Sequence, residues 1–94
     1  MQGVKGAVAV VTGAAQGNGR AIALGLAAAG AQVACCDLQA EAVAELARQI
    51  NESGGKAFGF RLDVTEGASC AAAADEVAAR LGAATILVNN AGII

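Results

Sequence analysis

Thr12-Gly13-Ala14-Ala15-Gln16-Gly17-Asn18-Gly19 follows directly on the apolar run of residues 7–11 and leads into an apolar helical stretch. An apolar strand, a glycine turn and a helix, in that order, make the arrangement that a dinucleotide pyrophosphate requires. The backbone must come close to phosphate, which leaves no room for side chains in the turn. The start of the following helix then supplies free N–H groups and a positive dipole end. Glycine also makes tight strand-to-helix turns without any ligand, so the spacing Gly13-x-x-x-Gly17-x-Gly19 is only half of the case. Its place between the first strand and the first helix is the other half.

Outward from this turn the pattern alternates strand and helix throughout. Strands are expected over residues 7–12, 32–37, 56–62 and 85–89, and helices over 19–29, 39–51 and 66–81. The first strand is apolar on both faces, as a central parallel strand should be. The first helix is apolar nearly all round, with Ile22, Leu24 and Leu26, and Gly30 stops it. In the second helix Val43, Leu46, Ala47 and Ile50 fall at i, i+3, i+4 and i+7 and define one buried face. Glu41, Glu45, Arg48 and Glu52 take the wet side, with Glu45 and Arg48 at pairing distance, and Gly54-Gly55 ends the helix. The third helix is expected to turn Cys70, Ala74, Val77 and Leu81 inward, and Asp75, Glu76 and Arg80 outward.

Strands separated by helices of this length pair in parallel through right-handed crossovers. The first two helices then share one face of the sheet, and the third must cover the other. The expected fold is α/β: four parallel strands in the order 3-2-1-4 with three helices, half of a doubly wound Rossmann fold. Ligands bind such a sheet beyond the carboxyl ends of its strands, at the switch point between strands one and four.

Composition narrows the function. The 94 residues carry a net charge of −2, two phenylalanines as the only aromatics, and no proline. They suit one small domain with a thin core. No basic stripe exists for nucleic acid to bind. No segment has the basic head, apolar middle and cleavage site of a leader, and no apolar run approaches the ~18–20 residues of a membrane span. A cytoplasmic location is the expectation. Cys35 and Cys36 are neighbours in a strand and point to opposite faces, while Cys70 stands alone in a helix, so all three read as small buried hydrophobes. Without histidine or a C-x-x-C spacing, no metal site is expected.

Asp37 closes the second strand, where an acid some ~20 residues past the glycine turn accepts hydrogen bonds from both ribose hydroxyls of an adenosine. It would also repel a 2′-phosphate, and Gln16 brings no positive charge into the loop, so NAD is favoured over NADP. Asp37 also suits the N-cap of the second helix, and the two roles are compatible. Asp63 can accept from an adenine amino group with Val64 lining that pocket, or cap the third helix. Asn89 and Asn90 can fix the chain's turn or line the cleft. Thr12 is expected to tie the turn to the fourth-strand region through its hydroxyl.

At these residues the chain resembles the short-chain dehydrogenase/reductase family along its whole length. Thr12-Gly13-x-x-x-Gly17-x-Gly19, Asp37, Asp63-Val64 and Asn89-Asn90-Ala91-Gly92 match the N-terminal motifs of that family in order and spacing. Its general features are similar to 3-oxoacyl-carrier-protein reductases and to polyol or sugar dehydrogenases. The resemblance implies a Rossmann domain that binds NAD(P) for hydride transfer between nicotinamide and a small carbonyl or alcohol substrate. By the same resemblance, Gly13, Gly17 and Gly19 cradle pyrophosphate, Asp37 holds the adenosine ribose, Asp63 with Val64 meets adenine, and Gln16, Asn18 and Leu38 join them as cofactor-binding residues. Asn90, Ala91 and Gly92 then border the cofactor. Asn18 departs from the usual apolar residue, which would loosen the first helix or add a cofactor contact, and Thr85 replaces a usual aspartate.

The family's catalytic serine, tyrosine and lysine have no counterpart here, so no catalytic residue is assigned. The 94 residues alone are expected to be inactive, as the N-terminal portion of an NAD-dependent oxidoreductase. Two other readings stand beside this one: a stand-alone nucleotide-binding module, and an interaction protein that uses an open sheet edge. That edge, at Ile86-Leu87-Val88, makes a marginally stable, self-associating chain the expectation.

Overall fold

The computed structural model describes residues 4–63 and 67–89, and the side chains of all of these except 67–71 and 89. The elements run β1 (Val8–Thr12), α1 (Gly17–Ala28), β2 (Gln32–Asp37), α2 (Ala40–Glu52), β3 (Lys56–Arg61), α3 (Gly67–Arg80) and β4 (Ile86–Asn89). All strand pairs are parallel and the order is β3-β2-β1-β4, as the crossover argument requires. In register, Val10 lies between Ala34 of β2 and Leu87 of β4.

Alternation along the strands divides the core in two. Ala9, Val11, Val33, Cys35 and Ala57 meet Ala23 and Leu26 of α1 and Val43, Leu46, Ala47 and Ile50 of α2. Val8, Ala34 and Cys36 meet Leu62 and then Ala73 and Val77 of α3 on the opposite face. Each fully buried valine or leucine contributes about 1.5–3 kcal/mol relative to exposure, so the face under two helices holds most of the hydrophobic stabilisation. The two adjacent cysteines do part to opposite faces, one in each cluster.

Small residues let the layers approach. A Cβ placed on Gly59 of β3 would stand 2.3 Å from the Val43 carbonyl oxygen, so the backbone of α2 rests directly on that strand. Among the described side chains, the inward stripe of α3 differs from the sequence expectation at one position: Ala73 and Val77 are buried and Ala74 is exposed, while the Cys70 side chain lies outside the described residues. Residues 73, 77 and 81 lie at i, i+4 and i+8, and that row reaches the sheet, whereas residue 74 is turned by a further ~100°. α1 also begins two residues earlier than expected. Gln16 is its N-cap in extended conformation (φ −159°, ψ 172°), which brings Gly17 and Asn18 into the first turn. The Glu45–Arg48 pair forms on the exposed side of α2, joined by Glu52. Such exposed pairs contribute little to stability.

Candidate functional site

β1 ends at Thr12, whose hydroxyl donates to the Val88 carbonyl at 3.3 Å and ties the start of the glycine turn to β4. Two residues on, the Ala14 N–H donates to the Cys36 carbonyl of β2 at 3.0 Å. The turn therefore rises between both neighbours of β1, at the switch point of the sheet. Gly13 and Gly17 take φ of 65° and 62°, a region that residues with a Cβ rarely enter. Gly19 is buried in the first turn of α1, while Gln16 and Asn18 are exposed at the mouth. Asn18 thus stays clear of the packed face of α1.

Gln16 makes no capping bond, and the first turn of α1 carries no acidic residue. A helix start leaves backbone N–H groups with no partner inside the helix, together with the positive end of its dipole. Here that end opens onto the loop mouth.

Asp37 stands beside it. One carboxylate oxygen accepts the Ala15 N–H of the loop at 3.2 Å, and the other accepts the Gln39 N–H at 3.0 Å. A carboxylate has about four acceptor sites, so two bonds leave capacity for a diol. The N-cap of α2 is Gln39, so Asp37 is not the cap; it precedes the helix and braces the chain into it. Its backbone carbonyl accepts the Leu62 N–H at 3.0 Å, fastening β2 to the end of β3. Leu38, next along, is 55% exposed at the carboxyl end of β2. Asp63 is half-buried beyond the end of β3, on the same side of the sheet. Asn89 pairs with Thr12 through β4. Val64, Asn90, Ala91 and Gly92 lie outside the described residues.

The structure brings together the glycine loop, Asp37, Leu38 and Asp63 at the carboxyl end of the sheet. Sequence reasoning missed Ala15, whose N–H meets Asp37 across 22 positions. The available signal was the pair of alanines inside the loop, small enough to let a strand-end carboxylate reach backbone. A helix start, two glycines in left-handed conformation and one acid suit a ligand that carries two phosphates next to a sugar diol.

Other groups stand apart from this site. Burial pushes the Cys35 and Cys36 thiols up to about 12, Cys36 with a further push from Cys35 and Asp37, so both remain protonated, unreactive core groups. Arg80 lies 4.8 Å over the Phe58 ring and pairs with Glu76, and both line the hollow between β3 and α3. Among the described residues no helix is long and apolar enough to cross a membrane, and no three His, Cys, Asp or Glu side chains gather as metal ligands.

A profile of the short chain dehydrogenases matches residues 7–94. The chain belongs to the short-chain dehydrogenase family. It is 51% identical over 88 residues to D-threitol dehydrogenase of Mycolicibacterium smegmatis, covering 94% of this chain and 34% of that protein. To the 7alpha-hydroxysteroid dehydrogenase of Escherichia coli K12 it is 42% identical over 87 residues, covering 93% of this chain and 34% of that protein. Among solved structures, it superposes on hydroxysteroid dehydrogenase from Escherichia coli with a TM-score of 0.91 at 41% identity, over 96% of this chain and 38% of that one. A metagenomic short-chain oxidoreductase in complex with NADP gives a TM-score of 0.87 at 40% identity, over 96% of this chain and 41% of that one. The short-chain dehydrogenases are NAD(P)-dependent oxidoreductases, and this chain spans about a third of the length of the curated relatives it matches.

Proposed function

We propose that residues 1–94 form one dinucleotide-binding unit of an NAD-dependent dehydrogenase, whose whole chain moves hydride between nicotinamide and a small carbonyl or alcohol. The single observation that carries this reading is the Asp37 carboxylate at the loop mouth, bonded to the loop's own Ala15 N–H. Gly13, Gln16, Gly17, Asn18 and Gly19 wrap the pyrophosphate, and Asp37 accepts from the adenosine ribose with Leu38 packed under it. Asp63 and Val64 meet adenine, and Asn90, Ala91 and Gly92 border the nicotinamide side. When bound, the dinucleotide supplies the hydride-carrying ring; this part of the chain binds and orients it. The 94 residues contain no tyrosine and no histidine. On this reading the proton that accompanies hydride comes from elsewhere, and residues 1–94 alone bind without turnover.

NAD is preferred to NADP because a 2′-phosphate would face Asp37 with no cation in the loop to offset it: position 16 is glutamine. The NADP-bound neighbour is 40% identical, so the preference rests on this chain's own residues. Two buried free thiols suit a reducing compartment, and the reading places the protein in the cytoplasm. The free chain self-associates through β4, where Leu87 is 72% exposed.

Calorimetry on the chain tests the reading. NAD and ADP-ribose are expected to bind with similar affinity, NADP about tenfold or more weakly, since a charge-assisted bond contributes ~1.5–3 kcal/mol. NADP binding as tightly as NAD would overturn the preference, and no heat with either would overturn the dinucleotide site.

A further inference from the structure

We propose that Asp37 also acts when no ligand is present. Its carboxylate fixes the phosphate loop through the Ala15 N–H, and so sets the pyrophosphate seat as well as reading the sugar. The proposal rests on the dinucleotide reading above and deepens it. It makes Asp37 a positioning residue for the loop.

Among the described residues, three bonds tie the turn to the rest of the sheet at separate points. The Thr12 hydroxyl reaches the Val88 carbonyl before the loop begins, and the Ala14 N–H meets the Cys36 carbonyl at its foot. The third, from Ala15 to Asp37, reaches the middle of the loop and depends on a side chain outside it. On either side stand Gly13 and Gly17, both at positive φ, where glycine sits without the strain a Cβ would bring. Beyond them, Gln16 makes no capping bond that would brace the helix start from within. The carboxylate is in turn held still. Its second oxygen takes the Gln39 N–H at 3.0 Å, and the Asp37 carbonyl takes the Leu62 N–H at 3.0 Å. Position is thus passed from the ends of β2 and β3, through one carboxylate, to the loop that faces phosphate. Phosphate and ribose affinity should then be coupled through residue 37, even for a ligand with no ribose hydroxyls.

Asp37→Ala removes the acceptor for both the Ala15 N–H and a sugar hydroxyl, and the dideoxy analogue then isolates the loop contribution from the sugar contribution. Two measurements decide. In the unligated chain, amide hydrogen exchange at Ala15 is expected to accelerate about tenfold or more in the variant, relative to the β1 and β2 amides. In binding, ADP and 2′,3′-dideoxy-ADP are compared. The variant should weaken ADP by more than tenfold and the dideoxy analogue by about three- to tenfold.

Unchanged Ala15 exchange, or a dideoxy analogue that binds both proteins equally, would overturn the positioning role and leave Asp37 a reader of sugar only. Should the original chain bind neither nucleotide, the dinucleotide reading fails, and the exchange measurement still decides the loop bond. If the variant does not fold, the original chain gives the answer: a scalar coupling through the hydrogen bond must connect the Ala15 amide nitrogen to the Asp37 carboxyl carbon. Its absence in the folded chain sinks the idea.

Discussion

The two outer strands of the sheet are finished differently. β3 begins and ends with exposed charge, Lys56 and Arg61, and the Asn51 side chain of α2 bonds both the N–H and the carbonyl of Ala57, each at 2.9 Å. Strand edges are kept from pairing with other chains by such charges and by covering their free backbone groups. Among the described residues β4 has neither device. It reads Ile86-Leu87-Val88-Asn89, without charge, and Leu87 is 72% exposed on the face that α3 covers only in part. The chemistry of β3 is that of an outside strand, and that of β4 is of a strand built to be enclosed on both sides. A structure can therefore tell which of its borders faces water by how polar backbone and apolar side chains are disposed there.

The strongest way to break this contrast is Gly59→Ala. The new methyl would stand 2.3 Å from the Val43 carbonyl oxygen and 2.5 Å from its carbon, both backbone atoms that cannot rotate away. α2 must lift from β3, and Asn51 lifts with it. Overpacking of this kind costs about 3 kcal/mol. A urea titration should show the midpoint fall accordingly, and an unchanged midpoint would mean that α2 is not seated on β3 as described.

Asn51→Ala is gentler and more specific. It removes both side-chain bonds to Ala57 while leaving the helix packing of Val43, Leu46 and Ile50 in place. The half-buried Ala57 groups lose protein partners, a loss of about 1–2 kcal/mol. The same variant should also raise the tendency to aggregate, because it uncovers the β3 edge. Light scattering at matched concentration checks this. A variant no more prone to aggregate than the parent would show that Lys56 and Arg61 suffice to protect β3.

Much of this was legible before the structure. The face of α2 at Val43, Leu46, Ala47 and Ile50 is periodic, and periodicity reports burial directly. β2 could be bounded at residues 32–37 because Gly30 precedes it and Asp37 closes it, and the order 3-2-1-4 follows from chirality once four strands are counted. Gly13 and Gly17 were legible because the backbone conformation of the turn restricts residue type. Other features depend on tertiary placement and leave no local trace. Ala73 rather than Ala74 faces the sheet because the row shared with Val77 settles the rotation of α3, and an alanine-rich helix offers little to distinguish neighbours. Gly59 reads as a weak strand residue until α2 is seen lying on it. The motif sets the glycine turn and Asp37 some ~20 residues apart, but that the carboxylate bonds the Ala15 N–H appears only once the two are folded together.

The smallest expected change in stability belongs to Leu87→Lys, and it bears most directly on β4. An exposed leucine contributes little to the fold, so the urea midpoint should move by less than about 0.5 kcal/mol. Association is another matter. Lysine at position 87 places charge on the uncovered face beside Val10, where two apolar surfaces would otherwise meet. Sedimentation velocity should find the parent chain associating as concentration rises and the variant shifted toward monomer, with the two melting alike. If the parent sediments as a monomer at every concentration, β4 is as well finished as β3, and the contrast drawn between the two edges is wrong. If both proteins associate equally, the contact lies elsewhere, and the open hydrogen-bonding groups of β4 rather than its apolar face become the surface to alter next.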